Sequence, residues 1–409
     1  MSEAEERHAS WLELFFDLVV VVAVAQLAQR LRQPTWAEVG LWVLMYYAVW
    51  SIWTTLTLYS NVRAERTRTR AMLVGMFCIA VMAAAIPDVA RDGGLHEGWF
   101  IAAYIVCRVG ASQTLQQSGT ILTAWPAAQL GAGLLPWVVS IWADQPMRYL
   151  LWGLGLALDM AFAILRSRDP QRLIAVMERQ VRRLYARERR WDGVAGTTAS
   201  PARKVVAAVL DPSHLSERLG LFVIIVLGEA VAQVILASSG ETWNWQFALA
   251  ALAGFGLIVA LWWLTVRFGI NTVVGPSERE MKAYVALPAH FVMTAGLTAT
   301  AAGLGVVITS PGTPLDVGIG WVLGGGLAGY FAASTVLGVV ARAERRWLWL
   351  WGVPCVVAPL VVAGVAWLVP AWLVVALLLG VALWRVAYRP RQDAEETLPT
   401  SGGEGTASA

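Results

Sequence analysis

Seven ionisable side chains, Glu13, Asp17, Arg108, Asp159, Glu217, Glu229 and His290, stand inside or at the start of long apolar runs, where a charge needs a reason. A charged side chain at the centre of a bilayer costs on the order of 3 kcal/mol even on a lenient insertion scale, so one that persists faces the protein interior and has a partner. At about 1.5 Å of rise per residue, Arg108 lies roughly 15 Å into its run, Asp159 roughly 18 Å, Glu229 roughly 18 Å beyond Glu217, and His290 about 14 Å from its run's start. Glu13 and Asp17 sit near the start of the first run and, being four apart, share one helical face. Such groups suit a transport or proton-transfer route, in which an acid such as Glu229 or Asp159 titrates and Arg108 sets the charge balance. The alternative stays open: Arg108 neutralises one carboxylate in a pair that only holds helices together, Glu13 and Glu217 serve as caps and interfacial partners, and His290 is a hydrogen-bonded packing residue.

The elements that must position these groups are membrane helices. In 409 residues, 57% are apolar and only 14% charged, which cannot clothe a water-soluble surface. Apolar runs of crossing length fall near 11–32, 37–60, 70–87, 98–116, 119–142 and 147–166, and again near 214–238, 243–267, 281–309, 314–341, 346–369 and 370–389. The expected fold is all-α: a polytopic membrane protein of about twelve transmembrane helices in two parallel six-helix repeats. The first repeat spans 11–166 and the second 213–389. A basic linker over 167–212 joins them, and a disordered tail over 390–409 follows.

Arginine placement orients the bundle. Arg63, Arg66, Arg68 and Arg70 follow the second run, Arg342, Arg345 and Arg346 the tenth, and Arg385, Arg389 and Arg391 the last. Residues 166–204 hold eleven Arg and Lys against four acids. By the positive-inside rule these loops and both termini are cytoplasmic, in the inner membrane of a bacterium. Within the linker, Leu173, Met177, Val181, Leu184 and Tyr185, behind Asp169 and Pro170, predict a basic amphipathic helix over 170–190. It would lie on the anionic inner leaflet, so a lipid partner is expected and nucleic acid is not. The net charge of +3 comes from these loops.

The repeat shows when the chain is slid on itself by 204 residues: ELFFDLVVVVAVAQLAQ from Glu13 meets ERLGLFVIIVLGEAVAQ from Glu217, Gln29 meets Gln233, and Arg63 meets Arg267. Six helices per unit is an even number, so both copies enter from one side and are parallel. Other features point to packing. Gly320, Gly324, Gly325 and Gly329 permit close helix contact. Prolines 126, 136, 288, 354 and 359 interrupt helical hydrogen bonding, and Trp11, Trp36, Trp99, Trp142, Trp243 and Trp347 near run ends suit interfacial anchoring. Cys78, Cys107 and Cys355 have no metal or disulfide spacing. No HExxH, GxSxG, P-loop or dinucleotide-binding pattern occurs, so no catalytic residue, metal or cofactor is expected.

The segments WLELFFDLVVVVAVAQLAQRL and HLSERLGLFVIIVLGEAV resemble the two hallmark blocks of the bacterial low temperature requirement A family, at the expected relative places over roughly residues 8–389. The resemblance carries over Glu13, Phe15, Phe16 and Asp17, then His214, Glu217, Arg218, Gly220, Gly228 and Glu229, with Arg108 and His290 in looser surroundings. It implies a multi-pass protein linked by name to growth in the cold, without a settled molecular activity. The sequence departs from the family in LWWLTVRFG, where Thr265 and Arg267 replace a YFD-like pattern. A more remote similarity links FFDLVVVVAVAQL to the first helix of a potassium-channel family with six-helix repeats. The resulting expectation is transport of an ion or small solute that supports low-temperature growth; a scaffold or an enzyme on a lipid-borne substrate is the other class.

Overall fold

The computed structural model describes residues 9–63, 69–91, 95–116, 120–121, 125–126, 131, 133–167, 171, 179, 206–208, 210–268 and 282–387. Nearly all of the 170–190 segment and the whole 390–409 tail lie outside them. The first six helices are α1 (Trp11–Arg30), α2 (Trp36–Arg63), α3 (Thr69–Ala85), α4 (Leu95–Gln116), α5 (Leu134–Val139) and α6 (Met147–Ser167). The second six are α7 (Pro212–Ser238), α8 (Trp245–Phe268), α9 (Ala283–Thr309), α10 (Val317–Val340), α11 (Arg345–Val365, passing through a π turn at Leu348–Gly352) and α12 (Ala371–Val386). Among the described residues, nine helices are long and apolar enough to cross a membrane, and the chain is an all-helical multi-pass membrane protein.

Local chemistry fixes where the two leading helices start. Ser10 caps α1 in a reciprocal box with Glu13, each satisfying a backbone N–H of the other. Asp211 caps α7 through the N–H groups of Ser213 and His214, ahead of Pro212 in the first turn, where its missing N–H has no consequence. Those same bonds, with His214's first, hold the Asp211 carboxyl below the usual carboxylate range.

The fifth apolar run differs from expectation. Its described residues do not form one helix over 119–142: they include a two-residue strand, Thr120–Ile121, pairing in parallel with Val206–Ala207, a 3-10 turn at Pro126, and the six-residue α5. Pro126, Gly131, Gly133 and Pro136 are the cause: proline removes the helical donor and glycine gains the most entropy by leaving the helix.

Packing follows one scheme in both halves. In chain order, the first helix of each half packs on the second and third, the third on the fourth, the fourth on the fifth, the fifth on the sixth, and the sixth returns to the second. Helices α1 and α2 meet α7 and α9 between the halves, and α6 also touches α9. The glycines of α10 divide the work: Gly320 and Gly324 let α11 approach at Ala363, while Gly326 meets Gly296 of α9 backbone to backbone. Of the tryptophans expected at the rim, Trp11, Trp36, Trp99, Trp142 and Trp243 are exposed, but Trp347 is buried. Its ring fills the space left by the missing Cβ of Gly338, with the Arg385 guanidinium 5.0 Å above it.

Candidate functional site

Helix α2 organises the polar interior. Every residue from Met45 to Asn61 is buried, among them Ser51, Thr54, Thr55, Thr57, Ser60 and Asn61. Trp50, Trp53 and Asn61 reach toward α1, α7 and α9, while Thr55 reaches toward α4.

On the first side, α1 and α7 meet in a two-rung ladder. Glu13 and Asp17 are four apart on α1, His214 and Arg218 four apart on α7, and each acid faces one base. The Arg218 guanidinium grips Asp17 with both terminal nitrogens, Nη1 to Oδ2 at 2.6 Å and Nη2 to Oδ1 at 2.9 Å. The Trp53 indole N–H adds a third donor to Oδ1 at 2.8 Å. Both members of the pair are fully buried, which makes the bidentate geometry the condition for its stability. In the outer rung His214 Nε2 stands 3.5 Å from Glu13 Oε1. The Asn61 amide fixes that histidine: anchored by two 2.9 Å bonds to the backbone of Asp211, it points Nδ2 at His214 Nδ1, 3.1 Å away. The imidazole proton is thereby directed at Glu13.

His290 has both ring nitrogens engaged. Its Nδ1 accepts from the Trp50 indole at 3.0 Å and its Nε2 donates to the Leu219 carbonyl at 3.2 Å, so the ring is neutral. It stacks on Trp53 at 5.3 Å and leans against Phe222, tying α9 to α2 and α7.

Arg108 and Asp159 form the second site, joining α4 to α6 at 2.8 Å. Asp159 is twelve residues into α6. Arg108 also donates to Thr55 Oγ1 at 3.3 Å, and the other Asp159 oxygen accepts the backbone N–H of Gly133 at 3.0 Å, at the break that precedes α5. Tyr47 and Tyr104 complete the electrostatic surroundings. A buried ion pair thus abuts an interrupted membrane segment, the arrangement in which freed backbone groups line sites in transporters.

Glu229 stands apart from both. It is nine-tenths buried, and the Gln233 amide donates to it at 2.6 Å. The Gln233 oxygen accepts from the exposed Arg32 at 3.2 Å. Glu217 lies at the start of α7, half-buried, its Oε1 3.5 Å from the Ala9 N–H. The seven predicted residues therefore fall into separate places: Glu13, Asp17 and Glu217 at the α1–α7 ladder, His290 beside it, Arg108 with Asp159, and Glu229 with Gln233. A groove of about 620 Å³ between α2, α9 and α10 is walled by apolar residues and glycines, with Thr35 at its edge, and touches none of the seven. Among the described residues no three His, Cys, Asp or Glu side chains are placed to hold a metal.

Sequence reasoning did not single out Trp53, Asn61 or Arg32, and it noted Gln233 only as a repeat match to Gln29. It also passed over Glu97, fully buried at the start of α4, which takes donors from Arg148, Tyr149, Gln145 and the Ala90 N–H.

Helical architecture and buried charge define a multi-pass membrane protein whose polar groups are held between helices. The chain belongs to the bacterial low temperature requirement A protein family, whose defining pattern matches residues 8–384. It is similar to an uncharacterized protein of Rhizobium meliloti (strain 1021), 25% identical over 324 residues, which cover 73% of this chain and 69% of that one. No solved structure matches it.

Proposed function

We propose that the protein moves an ion or small solute across the bacterial inner membrane and thereby supports growth at low temperature. The observation that carries this reading is the Arg108–Asp159 pair beside the break at Gly133: a mid-depth charge pair with backbone donors freed by an interrupted segment is a site that a passing solute can enter. The bundle is read as two parallel six-helix repeats; the packing scheme common to both halves supports this, with the Glu13/Glu217 sequence match. The test is a flux screen in proteoliposomes with potassium, sodium, chloride and proton gradients. Flux is expected for one of them, lowered at least about tenfold by Asp159→Asn in protein that still inserts and folds. Undiminished flux in that variant would sink the reading. The non-transporting scaffold is favoured by one observation, the closed and fully buried Asp17–Arg218 ladder. It predicts no flux on any gradient and cold growth unchanged by Asp159→Asn.

Both termini are placed in the cytoplasm, supported by the arginines after α2, α10 and α12, with the basic 170–190 stretch against the anionic leaflet. Reporter fusions at residues 195 and 405 are expected to report cytoplasm, and a periplasmic signal at either overturns the orientation.

A further inference from the structure

Four helices pack on α7, and their charges are accounted for. On α1, Asp17 is gripped by Arg218, Glu13 faces His214 and the Ser10 N–H, and Arg30 is paired with Glu38 of α2 at 2.9 Å. Arg63, half-buried, is the last residue of α2, and Arg267 lies in the last turn of α8. On α9 the titratable side chains are Tyr284, in the first turn, and His290, neutral between Trp50 and Leu219. Glu229 is different in kind. It lies nine residues before the end of α7, roughly 14 Å into the membrane at the helical rise, and its partner is an amide, not a cation.

A carboxylate at that depth with no counter-charge costs several times the thermal energy, and taking up a proton removes the cost. The surroundings also provide access. Gln233 is one turn nearer the membrane surface, fully buried, and links Glu229 to the solvent-exposed Arg32. Gly305 of α9 lies against both Gln233 and Arg32, leaving open the space that a side chain would fill.

We propose that Glu229 is a proton-binding site, exchanging with the aqueous side at which Arg32 is exposed, and that Gln233 positions its carboxylate. One proton adds to the carboxylate oxygen to give the neutral acid and leaves by the same side. Arg32 keeps its charge throughout, since a guanidinium does not give up a proton in a protein. The site stands on its own geometry; its use as a coupling site rests on the transport reading above.

The probe is dicyclohexylcarbodiimide, an apolar reagent that adds to a carboxylic acid and not to a carboxylate, applied to the full chain in lipid vesicles and read by peptide mass mapping. Glu229 is expected to be modified in mildly acidic buffer and at least about tenfold less in alkaline buffer, while the paired Asp17 and Asp159 stay unmodified. Glu229 left unmodified at acid pH, or modified equally at both, overturns the proposal. This readout on the unaltered chain does not depend on a variant folding. Gln233→Leu is expected to move the half-modification pH by about one unit, and an unmoved profile removes Gln233 from the site. Modification as expected without flux on any gradient would leave the proton site standing and end the transport reading; flux with Glu229 unmodified would do the reverse.

Discussion

Asp17 and Asp159 meet the same problem, a carboxylate inside the membrane, and solve it differently. Asp17 lies between two continuous helices and receives three side-chain donors, two from Arg218 and one from Trp53. Asp159 receives a single terminal nitrogen of Arg108 and one backbone N–H, which Gly133 can offer only because the fifth segment is broken there. The first carboxylate is saturated by rigid partners, as suits a clasp between the halves. The second depends for its other oxygen on a backbone N–H at the start of α5, not on a second side-chain donor. Bidentate geometry therefore separates the two pairs, and on the transport reading proposed above it is the singly held one that takes part in the cycle.

The largest effect is expected from removing the guanidinium of each pair. Arg218→Ala leaves Asp17 buried with only the Trp53 donor, which should cost about 3–5 kcal/mol, as stranding a buried charge does. Arg108→Ala leaves Asp159 the Gly133 N–H at a more adaptable site and should cost about 1–3 kcal/mol. Chemical unfolding of the two variants in the same detergent compares them directly. Adding Asp17→Ala to Arg218→Ala should recover more than half of the loss, since no charge is then stranded. Equal losses at the two sites, or no recovery in the double variant, would remove the distinction between clasp and working site.

How much of this was legible in the sequence depends on how far each partner lies along the chain. The apolar runs show the helices, and the four-residue spacing of Glu13 and Asp17 shows their common face, because both are local properties. That Asp17 would be answered by Arg218 was not legible, since the two are brought together only when α1 packs on α7. The central place of α2 was hidden for a related reason: hydropathy scores Trp50 and Trp53 alike whether they face lipid or protein, and both prove fully buried. The fifth segment was misread because apolar length outweighed Pro126, Gly131, Gly133 and Pro136, the residues that break it. Trp347 was assigned to the rim by position alone, though the glycine that makes room for its ring is nine residues earlier, at Gly338.

A finer test of the comparison lies in the auxiliary partner of each pair, both supplied by α2. Trp53→Phe keeps an aromatic ring against Phe222 and His290 but removes the N–H that Asp17 accepts. A hydrogen bond to a charged group contributes about 1.5–3 kcal/mol, and the loss should fall in that range. Thr55→Val is close in shape and removes a hydroxyl that accepts from Arg108 at a longer 3.3 Å. Thr55 keeps its own hydroxyl proton on the Ser51 carbonyl, so that carbonyl still has its helical donor after the substitution. A loss of about 0.5–1.5 kcal/mol is expected. Unfolding midpoints of the two variants measure both. If Thr55→Val cost as much as Trp53→Phe, Arg108 would be held as tightly as Asp17, and the pair beside the broken segment would lose the freedom that a transport cycle needs.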